Sequence, residues 1–131
     1  MSWAHKRIDW ITLFSADLER SKAFYQDVLD LPVIYEDENS AVFKLENTGI
    51  NLLRTSEAYD LVAPASVAAP DSGSRALFTI DVDDVDAVCA ELAARGVALV
   101  NGPINRPWGR RTASFADPGG HLWEVAQDLP S

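Results

Sequence analysis

Side chains able to bind a metal, attack a substrate or move a proton are few in this chain. It has two histidines, His5 and His121, and one cysteine, Cys89. His5 precedes the first strand-like run and His121 sits beside a turn, so both read as surface histidines. Cys89 recurs with Val85, Val88 and Leu92 at i, i+3, i+4 and i+7 spacing, which puts it on the buried face of a helix as a core residue. No Ser-His-Asp or Cys-His arrangement can be assembled from so few histidines. Among the carboxylates, Glu124 stands out: it alternates with Leu122 and Ala126 in a strand-like run, so it faces an otherwise apolar surface. A carboxylate in such a place can pair with a ligand cation. With its pKa raised by the apolar surroundings, it could also serve as a general base. Arg110 and Arg111 are candidates to hold an anionic substrate.

Two matching segments must position these groups. RIDWITLFSADLERSKAFYQDVLDLPV and RALFTIDVDDVDAVCAELAARGVALV each run from a strand-like stretch to an Asp, a helical pattern and a short turn into a β-branched run. Asp17 precedes Asp84 by 67 positions, an offset that also pairs Trp10 with Leu77 and Leu18 with Val85. Each Asp can cap its helix by accepting from free N–H groups of the first turn. Gly96 suits the left-handed position after the second helix, and Asp30 takes the corresponding place after the first. The spacing predicts equivalent strands at about 7–14 and 74–82, with helices near 18–29 and 85–95. Hairpins follow, with Asn47-Thr48-Gly49 at one turn and Asp117-Pro118-Gly119-Gly120 at the other. Matching Gly49 to Gly120 pairs Leu53 with Glu124. The fold class is therefore α+β: two βαβββ modules, at about 5–55 and 74–128, whose curled mixed sheets surround a shared cleft. Residues 56–73, rich in Ala, Pro and Ser, read as the linker in a single domain spanning 1–131.

Alternation along the strands decides which residues face the cleft. Ala76, Phe78, Ile80 and Val82 form the more apolar row of the fifth strand and should pack under a helix, as should Ile11 and Leu13 of the first. The opposite rows direct Ile8, Trp10, Thr12 and Phe14, then Leu77, Thr79 and Asp81, into the cleft. Asn51 and Leu53 join them from the fourth strand, and Leu122 and Glu124 from the last. Broad apolar walls with one carboxylate are the composition of a binding pocket, although the same residues could simply fill a sheet core.

The bulk properties remove other classes. The formal net charge is −9, and the only clustered basic residues are Arg106, Arg110 and Arg111, so nucleic acid is not an expected partner. No stretch approaches the ~20 apolar residues of a membrane helix, and the N-terminus lacks the apolar run of a signal peptide. One cysteine permits no intrachain disulfide, which fits a cytoplasmic setting.

ADLERSKAFYQDVLDLPV followed by ADPGGHLWEVAQ resembles the vicinal oxygen chelate superfamily of glyoxalases, ring-cleaving dioxygenases and bleomycin-resistance proteins, over nearly the whole chain. The resemblance implies the paired βαβββ fold and a homodimer. Metal enzymes of that superfamily place His on the first strand, His or Gln on the fifth and Glu on the eighth, and some add Glu on the fourth. The matching positions here are Trp10, Leu77, Glu124 and Leu53, so only one ligand remains. Three protein ligands are the usual minimum for a catalytic site, and no metal or other cofactor is expected. RPWGRRTASFADPGGHLWEV is most similar to the bleomycin-resistance branch, whose groove tryptophan matches Trp108, followed by Gly109 and Arg110. His121 replaces an Asn of that motif.

Taken together, these features point to a metal-independent protein that sequesters an aromatic or cationic compound such as an antibiotic. Trp10, Phe14, Leu53, Leu77, Trp108, Arg110, Leu122 and Glu124 are the expected ligand-binding residues. The alternative is a lyase, isomerase or dioxygenase-like enzyme of the same superfamily using Glu124. A third possibility is an interaction module whose cleft is filled by its own side chains.

Overall fold

The computed structural model describes residues 2–131, which divide into two compact units, the first ending at Ala69 and the second spanning Pro70–Ser131. In the first unit, β1 (Trp10–Ser15) leads into α1 (Leu18–Ala23), and β2 (Val33–Glu36), β3 (Ser40–Lys44) and β4 (Gly49–Arg54) follow. The sheet order is β1-β4-β3-β2, with β1 parallel to β4 and the other pairs antiparallel. In the second unit, β5 (Leu77–Asp81), α3 (Val85–Ala94), β6 (Leu99–Asn105), β7 (Arg110–Ala116) and β8 (Leu122–Asp128) give the order β5-β8-β7-β6 with the same pattern of directions. These are the two βαβββ modules, an α+β fold with two four-stranded mixed sheets.

Capping chemistry sets both helix starts. Asp17 Oδ1 accepts from the Arg20 N–H at 3.2 Å, and Asp84 Oδ1 accepts from the Ala87 N–H at 3.1 Å. The second helix gains another partner, because the Val85 N–H donates to Gln127 Oε1 of β8 at 2.8 Å. Both helix exits use the left-handed region, with Gly96 at φ 82° and Asp30, the one non-glycine residue found there among the described residues, at φ 57°.

One face of each sheet is covered by its helix. In the first unit Leu13, Ala41, Phe43, Ile50 and Leu52 are buried beneath Leu18 and Tyr25, and the hydroxyls of Ser15 and Ser21 tie β1 to α1 at 2.7 Å. The helix expected near 18–29 is α-helical only to Ala23 and continues as a π-helical turn, Phe24–Val28. That turn buries Phe24 and Tyr25, and Tyr25 packs against Phe43 with ring centroids 5.7 Å apart. In the second unit Val85, Cys89 and Leu92 pack over a sheet that buries Ala113, Phe115, Trp123 and Val125.

Part of the expected linker is helical: α2 covers Thr55–Val62. Ala58 is fully buried and anchors it to its unit, while Pro64 stops it, since the residue before a proline is driven out of the helical region. The Ala- and Pro-rich composition begins only after α2.

Candidate functional site

The face of each sheet opposite its helix carries the residues of interest. In the first unit the open rows of β1 and β4 run in register as Trp10 beside Gly49, Thr12 beside Asn51 and Phe14 beside Leu53. Trp10 is 47% exposed, and its indole lies across its strand neighbour: a Cβ at Gly49 would collide with Cε3 and Cζ3 of that ring. Phe14 and Leu53 are half-buried side by side. Close to Trp10, a pocket of about 190 Å³ is lined by Arg7, Asp9, Lys44 and Glu46 among others, a balanced set of charges at the strand ends.

In the second unit the ladder sets Leu77 beside Leu122, Thr79 beside Glu124 and Asp81 beside Ala126, with Ser114 of β7 on the far side of Glu124. Leu77, Leu122 and Glu124 thus share one open face. Thr79 Oγ1 donates to Glu124 Oε1 at 2.9 Å. The first unit repeats the arrangement with neutral groups, since Asn51 Nδ2 donates to Thr12 Oγ1 at 3.4 Å. Each pair sits at the third residue of its two strands, so the structural counterpart of Glu124 is Asn51, two residues before Leu53. Matching the glycines misaligned this strand because the two glycines do different jobs. Gly49 opens β4 beneath the Trp10 ring, whereas Gly120 is a turn residue at φ 87° whose missing Cβ leaves room for the Pro70 carbonyl.

The arginines are already partnered. Arg110 donates through Nη2 to Asp81 at 3.0 Å and to the Ala126 carbonyl at 3.1 Å, and its Nε makes a charge contact, without hydrogen-bond geometry, to Asp128 at 3.0 Å. Arg111 forms a two-pronged pair with Asp86 at 2.9 and 3.2 Å. The hydrogen bond to Asp86 raises the Arg111 pKa further, against a smaller lowering by burial. Neither guanidinium is free for an anionic substrate. Glu124, by contrast, pairs with no cation among the described residues.

Trp108 lies outside both sheets. It is 67% exposed in the turn between β6 and β7. That turn is closed by Arg106 N–H to Arg110 O at 2.7 Å and Gly109 N–H to Arg106 O at 3.1 Å. The tryptophan side chain makes neither bond.

His121 differs from expectation. It is not a free surface histidine but lies 2.9 Å from Asp117 Oδ2 through Nδ1, and its backbone N–H donates to Asp117 Oδ1 at 2.8 Å. The pair staples the Asp117–His121 turn. Burial comes first in pushing the Cys89 thiol pKa up, so at neutral pH it is a protonated core group.

The donors do not suit the metal that related enzymes hold. Trp10 and Leu77 have no lone pair for it, Asn51 offers a weak amide oxygen, and among the described residues no three His, Cys, Asp or Glu side chains form a metal-binding group. Thr79 and Thr12 were not singled out from sequence. Strand alternation puts both on the open face, but their pairing depends on register across strands 45 and 39 residues apart.

The glyoxalase/bleomycin resistance protein/dioxygenase superfamily model matches residues 7–125. An uncharacterised Bacillus subtilis protein, YraH, is 33% identical over 123 residues, covering 91% of this chain and 96% of YraH. Among solved structures, TnmS3, an antibiotic-binding protein from a Streptomyces species, superposes with a TM-score of 0.71 at 28% identity, covering 98% of each chain. A lactoylglutathione lyase from Agrobacterium tumefaciens superposes with a TM-score of 0.76 at 22% identity over 95% of each chain, a likeness of fold alone.

Proposed function

The chain belongs to the glyoxalase/bleomycin resistance protein/dioxygenase superfamily, and from that premise we propose that it is a binding protein for an aromatic, cationic small molecule, which it sequesters without transforming. One observation carries this reading: Glu124 has no counter-cation among the described residues, on a sheet face that it shares with Leu77, Leu122, Thr79 and the Asp81–Arg110 pair. Such a surface attracts a cation attached to an apolar body. Trp108, exposed in the β6–β7 turn of the same unit, supplies aromatic surface for stacking and cation–π contact worth ~0.5–2 kcal/mol. The likeness to TnmS3, named as an antibiotic-binding protein, supports a role in binding a small molecule. In this reading Arg110 is held by Asp81 and Asp128 beside the site.

No divalent ion or other cofactor takes part. The protein works in the cytoplasm, where a single cysteine is in keeping with reducing conditions. It acts as a homodimer, the state that its superfamily resemblance implies. No helix is long and apolar enough to cross a membrane.

Native mass spectrometry of the protein with a mixed antibiotic and metabolite library tests the proposal. The expected result is retention of aromatic cations, recovered chemically unchanged, and weaker retention by Glu124→Gln. Turnover of a retained compound that Glu124→Gln abolishes would establish instead a lyase or isomerase using Glu124 as base. Retention of neutral compounds and cations alike would remove the role given to Glu124.

A further inference from the structure

We propose that Thr79 is the positioning residue of this site: its hydroxyl holds one oxygen of Glu124 and so aims the other at the ligand's cation. The inference rests on the binding role proposed for Glu124. A glutamate at a strand position ordinarily has freedom about three side-chain torsions, and a cation must arrest that motion to bind. Here the Thr79 Oγ1–H donates to Oε1 at 2.9 Å, while Oε2 has no partner among the described residues. The flanking residue on the other strand is Ser114.

The neighbouring charges favour a cation at the same face. Asp81, one step along the open row from Thr79, and Asp128 share the single guanidinium of Arg110, each at 3.0 Å, so that trio keeps a net charge of −1. A cation approaching this face meets that charge and the Glu124 carboxylate, and it is Glu124 that Thr79 holds by one oxygen. The first unit carries a neutral version at the same register, Asn51 on Thr12, so the threonine is common to both units while the partner's charge differs. Selectivity for a cation is thus the property of the second unit's pair.

Calorimetry with a matched pair of probes, naphthylmethylammonium and neutral naphthalenemethanol, measures the preference directly. Wild type is expected to favour the cation about tenfold, the scale of one charge-assisted hydrogen bond. Glu124→Gln should abolish the preference, and Thr79→Val should reduce it to about threefold. Thr79→Ser, which keeps the hydroxyl, should restore the preference. Valine keeps the branched shape suited to a strand, so thermal stability should not move.

If Thr79→Val keeps the full preference while Glu124→Gln loses it, the positioning role is overturned and the binding reading stands. A loss that serine fails to restore also overturns it, since the hydroxyl is then not the cause. If wild type shows no cation preference, or binds neither probe, the reading of Glu124 falls and this inference falls with it.

Discussion

Replacing Trp108 by alanine separates ligand binding from folding. With 67% of its surface exposed, Trp108 has roughly 170 Å² of a ~250 Å² side chain free for a ligand. A flat aromatic covers one face of the indole, about half of that area, which at ~25 cal/mol per Å² is about 2 kcal/mol, or ~30-fold in Kd. Folding loses less. The covered third sets an upper bound of about 2 kcal/mol, and the real figure is smaller because unfolded chains also bury part of such area. The backbone bonds that close the turn, with Gly109 at φ 86°, remain in the variant. Titration calorimetry with a retained aromatic cation, beside a thermal melt, reads both quantities. The expected outcome is a ~10- to 30-fold loss of affinity with a melting temperature lower by a few degrees at most. Affinity within twofold of wild type would refute the stacking role, and loss of the folded state would refute the assignment of Trp108 to a free turn.

Asp84→Ala should cost about 1 kcal/mol in denaturant unfolding, because the Ala87 N–H loses its cap, softened by the remaining bond from Val85 N–H to Gln127. Gly49→Val should displace the Trp10 indole, lower stability by roughly 1–3 kcal/mol and red-shift tryptophan emission, as overpacking does. The Asp37 carboxyl is held below its ordinary pKa of 3.8, first by the Asn39 N–H and then by the Tyr35 and Ser40 hydroxyls. A depressed folded pKa means its contribution is complete above the unfolded value and disappears as pH falls through the folded one. Acid unfolding of Asp37→Asn should therefore lack this component below about pH 4. Light scattering should return twice the 14.3 kDa chain mass at micromolar concentration; a monomer mass would remove the proposed dimer.

The sequence by itself determined the repeat, and the repeat carried most of the fold. Asp17 and Asp84 as caps, Asp30 and Gly96 as left-handed exits, and the alternation of Trp10, Thr12 and Phe14 against Leu13 and Ser15 are local signals. They depend on backbone geometry a few residues away, so they survive without tertiary context. The composition of the open rows was legible for the same reason, with Trp10 and Leu77 at corresponding places on β1 and β5. What only the tertiary structure decided was register and partnership. Nothing local distinguishes a glycine that turns a chain, Gly120, from one that admits a neighbour's ring, Gly49, so matching them shifted one strand by two residues. Nor does sequence say that Arg110 reaches Asp81, 29 positions away, or that Thr79 reaches Glu124, 45 away. Those contacts exist because parallel and antiparallel pairing bring distant strands within 5 Å or so of one another, and that spacing is a property of the assembled sheet.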